Sequence, residues 1–176
     1  RHRAATRTMA PTMGTLYLVR HGQASFGAAD YDQLSPLGQR QCVRLGAWFR
    51  ERGVRFDAVL TGTLRRHAQS LAGIEEGLEA RHGALALPGL DEYDGDALIR
   101  AIHPAPLARP VTAEQVRQHF RLLRQGLAQW MAGATPPQGV PAHADFVAGV
   151  VQALDRVRAQ HGDGTALIVS SGGPIA

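Results

Sequence analysis

Three short polar clusters in this chain carry side chains suited to handling a phosphoryl group. The first is Arg20-His21-Gly22, directly behind the apolar run Leu16-Tyr17-Leu18-Val19. The second runs from Thr61 to Arg66, and the third is Ser170-Ser171-Gly172-Gly173. An arginine offers a planar, permanently charged fork for an anion. A neighbouring histidine offers a ring that is a nucleophile or an acid–base group near neutral pH. Glycines let backbone amides come close to an anion, and a helix that starts there adds a favourable dipole. This combination points to an anionic, phosphorylated ligand. Histidines at 67 and 103 read as helix-surface or loop residues, and Gln23 and Ser25 as pocket lining or turn formers.

Such groups have to be delivered by a framework. Thr15–Arg20 reads as a first buried strand, Phe56–Thr61 as a second, Ala84–Leu87 as a short third and Ala166–Val169 as a last one. Ser35-Pro36 opens a helix by N-cap and proline-first chemistry, with Cys42, Leu45 and Phe49 on one face and Gly53 as its stop. A second helix spans Leu64–Arg81, weakened by Gly73 and Gly77. Asp91–Asp96 reads as an acidic loop. Val111-Thr112 opens a long helix carrying Val116, Phe120, Leu123, Leu127 and Trp130 on its apolar face. Gly133–Pro141 is a Gly/Pro-rich loop, and Phe146, Val150, Ala153 and Val157 mark a further helix closed by Gly162. Strands alternating with amphipathic helices imply an α/β fold: a three-layer α/β/α sandwich on a mainly parallel sheet. In such a sheet ligands bind beyond the carboxyl ends of the strands. All three polar clusters follow strands, so they converge at one edge.

Composition narrows the function classes. The 176 residues fit one domain, expected over residues 13–176. The Arg-rich start, residues 1–12, reads as a disordered or appended tail with Met9 or Met13 as the natural start, a transit peptide being the alternative. The chain stops just after a strand and a glycine pair, where a fold of this kind places a helix, so the C-terminus is expected to be incomplete. No apolar stretch approaches the roughly 20 residues needed to span a bilayer, so no membrane role is expected. Cys42 is the single cysteine, which excludes an internal disulfide and a cysteine-based zinc site; cytoplasm is the expected location. The net charge is +4, but all 19 cationic residues are arginine and they are scattered. That reads as a compositional bias rather than a nucleic-acid-binding stripe. Trp48, Trp130 and Phe120 read equally well as core or as interface, so the oligomeric state is open.

The segment Leu18-Val19-Arg20-His21-Gly22-Gln23-Ala24 resembles the signature of the histidine phosphatase superfamily, the phosphoglycerate-mutase-like enzymes. Leu34-Ser35-Pro36-Leu37-Gly38-Gln39 is similar to the segment opening that family's first helix. Leu64-Arg65-Arg66, with Ser70 four residues on, resembles its leucine–variable–arginine motif and singles out Arg66 rather than Arg65. Leu90-Asp91-Glu92-Tyr93-Asp94-Gly95 resembles the loop bearing the family's acid, and Val169-Ser170-Ser171-Gly172-Gly173 its last motif. The resemblance covers most of residues 15–175. It implies a phosphoglycerate-mutase-like fold and hydrolysis of a phosphomonoester through a phosphohistidine at His21. Arg20 and Arg66 would fork onto the phosphoryl oxygens, with Gly22, Ser171 and Gly172 also binding phosphate. Glu92 would protonate the leaving oxygen and then activate water. No metal and no cofactor are implied, and the expected partner is a phosphorylated small molecule or phosphoprotein.

One departure matters. The family usually carries a second histidine where this chain has Ser171. Three readings are open: a phosphatase of reduced activity, a non-catalytic relative that binds phosphorylated ligands, or an introduced substitution. The presence of His21, Arg20, Arg66 and Glu92 favours the first. On this reading Ser171→His raises phosphatase activity if the pocket is otherwise complete. Mutase-type phosphotransfer ranks lower, because Ser25-Phe26-Gly27-Ala28 lacks the asparagine of the cofactor-dependent mutases and the chain is short. Substrate choice is expected to lie in the segment between Gly95 and Pro141.

Overall fold

A computed structural model describes residues 14–25, 31–105, 107 and 110–176. The expected tail, residues 1–12, together with Met13, and Phe26–Ala28 of the segment read against the mutases, lie outside the described residues. Strands β1 (Thr15–Arg20), β2 (Ala58–Thr61), β3 (Leu85–Ala86) and β4 (Thr165–Ser170) form one parallel sheet in the order β1-β4-β2-β3. All four strands expected from the sequence are present, with ends moved by at most two residues, but the first is not buried: β1 lies at the edge of this sheet and its Leu16 and Leu18 are exposed. Helices α1 (Pro36–Glu51), α2 (Arg65–Leu78), α4 (Ala113–Met131) and α5 (His143–His161) correspond to the four periodic segments. Local chemistry explains their starts. The Ser35 side chain accepts from Gly38 N–H at the head of α1, and Thr112 with Gln115 forms a reciprocal capping box at the head of α4.

One element departs from the sequence reading. The acidic stretch Asp91–Asp96 is not wholly loop: Asp94 caps helix α3 (Gly95–Ile102) by accepting from Ala97 N–H. At eight residues, α3 is too short to stand out by periodicity. A further four-residue turn of helix, α6 (Gly172–Ile175), follows β4.

The layers are defined by two apolar clusters on opposite faces of the sheet. On one face Val59, Leu167 and Val169 pack against Cys42 and Phe49 of α1 and Leu71, Ile74 and Leu78 of α2. On the other, Leu60, Ala166 and Ile168 pack against Leu90 and against Ala153 and Val157 of α5. β4 lies at the centre of both: Ala166, Leu167, Ile168 and Val169 are essentially inaccessible to solvent. Trp130 is also core, packed against Tyr93, His143 and Phe146, whereas Trp48 and Phe120 are exposed.

Gly77, one of the two glycines that weaken α2 on propensity grounds, sets its packing against α1. A Cβ on Gly77 would lie 1.9 Å from the Val43 carbonyl oxygen of α1, and one on Gly46 of α1 would lie 1.9 Å from the Ile74 carbonyl oxygen. The two backbones touch at both points, so no side chain fits between them. Gly77→Ala improves intrinsic helix propensity by about 1 kcal/mol. Overpacking against a backbone costs roughly 1–3 kcal/mol and wins. Urea unfolding of Gly77→Ala is therefore expected to show net destabilisation; a gain in stability would contradict this close approach.

Candidate active site

Parallel pairing brings three strand ends to one edge. Arg20 stands opposite Ser170, His21 N–H donates to the Ser170 carbonyl at 2.8 Å, and Gly62 N–H donates to the Val169 carbonyl at 3.2 Å. The polar residues following β1, β2 and β4 thus meet.

His21 is nearly buried, and its Nδ1 lies 2.7 Å from the Gly22 carbonyl oxygen. A carbonyl only accepts, so the proton sits on Nδ1 and Nε2 carries the free lone pair. Burial pushes the His21 pKa below 6.5 against the raising effect of that hydrogen bond; Arg66 and Arg20 lower it further, and Asp32 opposes them. The ring is neutral at pH 7.

The loop after His21 is clamped to α2. Gly22 N–H donates to Ser70 Oγ at 3.1 Å, and Ser70 O–H donates to the Arg66 carbonyl at 2.7 Å. The Gly22 amide is thereby engaged inside the protein. What Gly22 contributes is close approach: a Cβ there would lie 2.5 Å from the Gly38 carbonyl oxygen.

Arg66 is buried at the head of α2. Its Nη1 donates to Asp32 Oδ1 at 2.9 Å and its Nη2 to Ser171 Oγ at 3.3 Å. Among the described residues its Nε has no partner, although it is buried. Asp32 also accepts from the Arg65 and Arg66 amides, so it caps α2 from a distance while holding the guanidinium. These bonds and the Arg66 charge hold the Asp32 carboxyl below its usual range against its partial burial. No sequence signal marked Asp32, because its partner lies 34 residues away.

Glu92 accepts from Gly173 N–H at 3.0 Å. Burial raises its pKa above 4.5, against the lowering effects of that bond, Arg66 and Arg20. A Cβ on Gly172 would lie 3.8 Å from both Arg20 Nε and Glu92 Oε2, so the Arg20 fork and the Glu92 carboxyl flank the same glycine. A Cβ on Gly173 would lie 2.1 Å from Glu92 Oε1, which only glycine permits.

Two expectations need correction. His67 is not on the helix surface; it is fully buried, its Nε2 is 2.7 Å from Ser171 Oγ, and its ring centroid is 5.9 Å from that of His21. Its neighbour Asp91 is not merely a solvated loop acid. Asp91 accepts from the Thr63 and Leu64 amides and the Thr63 hydroxyl, and lies 3.7 Å from His67 Nδ1. His103, by contrast, stays in a loop role beyond α3, its Nδ1 3.0 Å from the Ala105 carbonyl oxygen. Among the described residues, no group of three or more His, Cys, Asp or Glu side chains is placed to hold a metal ion, and no helix is long and apolar enough to cross a membrane.

A parallel α/β sheet with a histidine and two arginines at its carboxyl edge is an arrangement suited to holding an anionic group. The sequence model of the histidine phosphatase superfamily (branch 1) matches residues 16–176, and the chain belongs to that family. It is 33% identical over 63 residues to a broad-specificity phosphatase of Saccharomyces cerevisiae; that match covers 32% of this chain and 27% of the yeast protein. Its fold is similar to the alpha-ribazole phosphatase of Shigella flexneri, with a TM-score of 0.60 at 19% identity over 91% of this chain and 75% of the other. A mycobacterial glucosyl-3-phosphoglycerate phosphatase gives 0.60 at 20% identity over 91% and 74%. A phosphoglycerate mutase of Bacillus anthracis gives 0.60 at 16% identity over 92% and 76%.

The buried His67 has a consequence for stability. Burial, then Arg66, depress its pKa from 6.5 to about 4, with Asp91 opposing. Between these values the unfolded chain binds a proton that the folded chain refuses. Stability therefore rises with pH across this window and is lost on acidification. The gap corresponds to roughly 3 kcal/mol at most. The unfolding free energy of wild type is expected to fall more between pH 7 and pH 4 than that of His67→Gln, which has no titrating ring. Equal falls in urea titrations would contradict a neutral buried His67.

Proposed function

We propose that this protein is a phosphomonoesterase that works through a phosphohistidine at His21. The observation that carries the reading is the Nδ1 contact to the Gly22 carbonyl, which presents the lone pair of Nε2 at the strand edge. Nε2 attacks phosphorus in line as the bond to the leaving oxygen breaks, so one hard displacement becomes two easier ones. Arg20 and Arg66 balance the charge on the non-bridging oxygens. Glu92 gives its proton to the leaving oxygen. It then takes one from the water that attacks the phosphohistidine, which releases phosphate and restores His21. Its raised pKa supports the acid role, because a buried carboxyl keeps its proton further toward neutrality.

In this reading Gly172 completes the phosphate end of the pocket, whereas Ser171, expected from the sequence to touch phosphate, is fully buried and backs Arg66 instead. The yeast relative is named a broad-specificity phosphatase, and two of the structural neighbours are named for small phosphorylated metabolites. A phosphorylated small molecule is accordingly the substrate class proposed. The site requires no metal or cofactor in this scheme, since the arginines supply the positive charge. Helices α3 and α4 supply the segment that would select the leaving group.

Hydrolysis of an aryl phosphate between pH 4 and pH 8 tests this. His21→Ala is expected to reduce turnover to background. Stoichiometric ligand binding without wild-type turnover would instead favour a phospholigand-binding protein. The profile of kcat/KM is expected to be bell-shaped, with its acid limb set by His21 and its alkaline limb by Glu92. Activity rises as His21 loses its proton below 6.5 and falls as Glu92 loses its proton above 4.5. Glu92→Gln removes the alkaline limb and costs about 10²–10⁴ on an alkyl phosphate, whose leaving group needs protonation most. A Glu92→Gln profile identical to wild type would exclude Glu92 as the acid.

A further inference from the structure

Ser171 leaves the phosphate end of the site without the imidazole expected there, yet the structure holds a second imidazole within hydrogen-bond reach of that serine. His67 enters from α2, and its Nε2 lies 2.7 Å from Ser171 Oγ. Ser171 Oγ also accepts from Arg66 Nη2 at 3.3 Å. The other ring nitrogen of His67, Nδ1, is buried, lacks a hydrogen-bond partner among the described residues, and lies 3.7 Å from Asp91 Oδ1. Gly62 makes this arrangement possible. A Cβ at that position would lie 2.2 Å from His67 Nδ1 and 2.4 Å from Asp91 Oδ1.

These contacts fit one chain of donors, from Arg66 to Ser171 and from Ser171 to His67. Arg66 has only donors, so Ser171 Oγ accepts from it. The single Ser171 proton is then free to point at His67 Nε2, which accepts it when the His67 proton sits on Nδ1, facing the Asp91 carboxylate. A charged His67 would reverse this. Its Nε2–H would donate to the same oxygen as Arg66, so the Ser171 proton could no longer point at the ring, and its charge would repel the guanidinium. The groups around the ring argue for the neutral form. Burial opposes a proton most; Arg66 on its own helix and His21 at the end of β1 oppose it too, while Asp91 next to Glu92 and Asp32 before α1 favour one. His67 and Ser171 have no exposed surface, so they act through Arg66 rather than by touching phosphate.

We propose that Asp91, His67 and Ser171 form a relay of fixed polarity that aims the Arg66 guanidinium at the phosphoryl group, with His67 as the positioning residue that stands in for the missing second histidine. The proposal rests on the phosphatase reading of the site. It also changes the expectation for Ser171→His. A new imidazole at 171 would enter space that His67 fills, so the single variant does not gain activity. The pair His67→Ala with Ser171→His moves the imidazole from α2 to the end of β4 and keeps one ring in the same space.

The experiment is a double-mutant cycle. Orthovanadate affinity and aryl-phosphate kcat and KM are measured for wild type, His67→Ala, Ser171→Ala and their combination, with thermal unfolding alongside. Each single variant is expected to weaken vanadate binding and kcat/KM about tenfold. The combination is expected to be no worse than either single, because both break one chain. His67→Ala/Ser171→His is expected to return to within a few-fold of wild type, a recovery that a purely structural role for His67 does not predict. His67→Gln, which keeps an acceptor for the Ser171 hydroxyl, serves where the alanine variant does not fold. Losses that multiply across the cycle, or single variants that match wild type, overturn the relay. Wild type that neither hydrolyses the aryl phosphate nor binds vanadate overturns the phosphatase reading itself, and the relay with it.

Discussion

The site depends on β4 running parallel between β1 and β2. β4 pairs along its whole length with β1 and also with β2. Because all three strands point the same way, their carboxyl ends deliver His21, the head of α2 and the Ser171-Gly172-Gly173 turn to one edge. No short-range interaction could assemble these groups, since they come from opposite ends of the chain. The strand is also the most buried element, serving the apolar clusters on both faces of the sheet. Fold stability and site geometry are therefore coupled: a shift in β4 that disturbed the core would also misplace Ser171 against Arg66.

Electrostatics at this edge are governed by burial as much as by charge. Two arginines, two aspartates, two histidines and a glutamate crowd together. Low accessibility keeps both rings neutral and biases Glu92 toward its protonated form. A neutral ring can be a nucleophile or an acceptor, and a protonated carboxyl can be an acid. The arginines reinforce the neutrality of the rings, so the groups that would bind an anion also keep His21 unprotonated. Asp32 is the counterweight. It holds Arg66 in place and reduces the cost of a buried guanidinium.

Close approach is the other recurring device. Gly22 against Gly38, Gly46 and Gly77 at the crossing of α1 and α2, Gly62 beneath His67 and Asp91, and Gly173 against Glu92 all occupy points where a Cβ would collide. Several of these lie beside the site, where backbone must pass close to functional side chains. Their lack of a side chain matters more here than their conformational freedom, because none of them has a positive φ.

The order of strands and helices, the parallel character of the sheet and the convergence of Arg20, Arg66 and Ser171 were legible in the sequence. They rest on apolar periodicity and on local cap and turn chemistry, which act over a few residues. Glu92 was legible through its motif, and Trp130 as an apolar-face residue. The roles of Asp32, Asp91 and His67 were not, because each partners a group on another element. His67 sits one residue after Arg66 and reads as an ordinary polar helix residue. Only the packing of α2 against the ends of β1 and β4 turns it inward onto Ser171. Ser171 and His67 are 104 positions apart, and only the tertiary structure joins them.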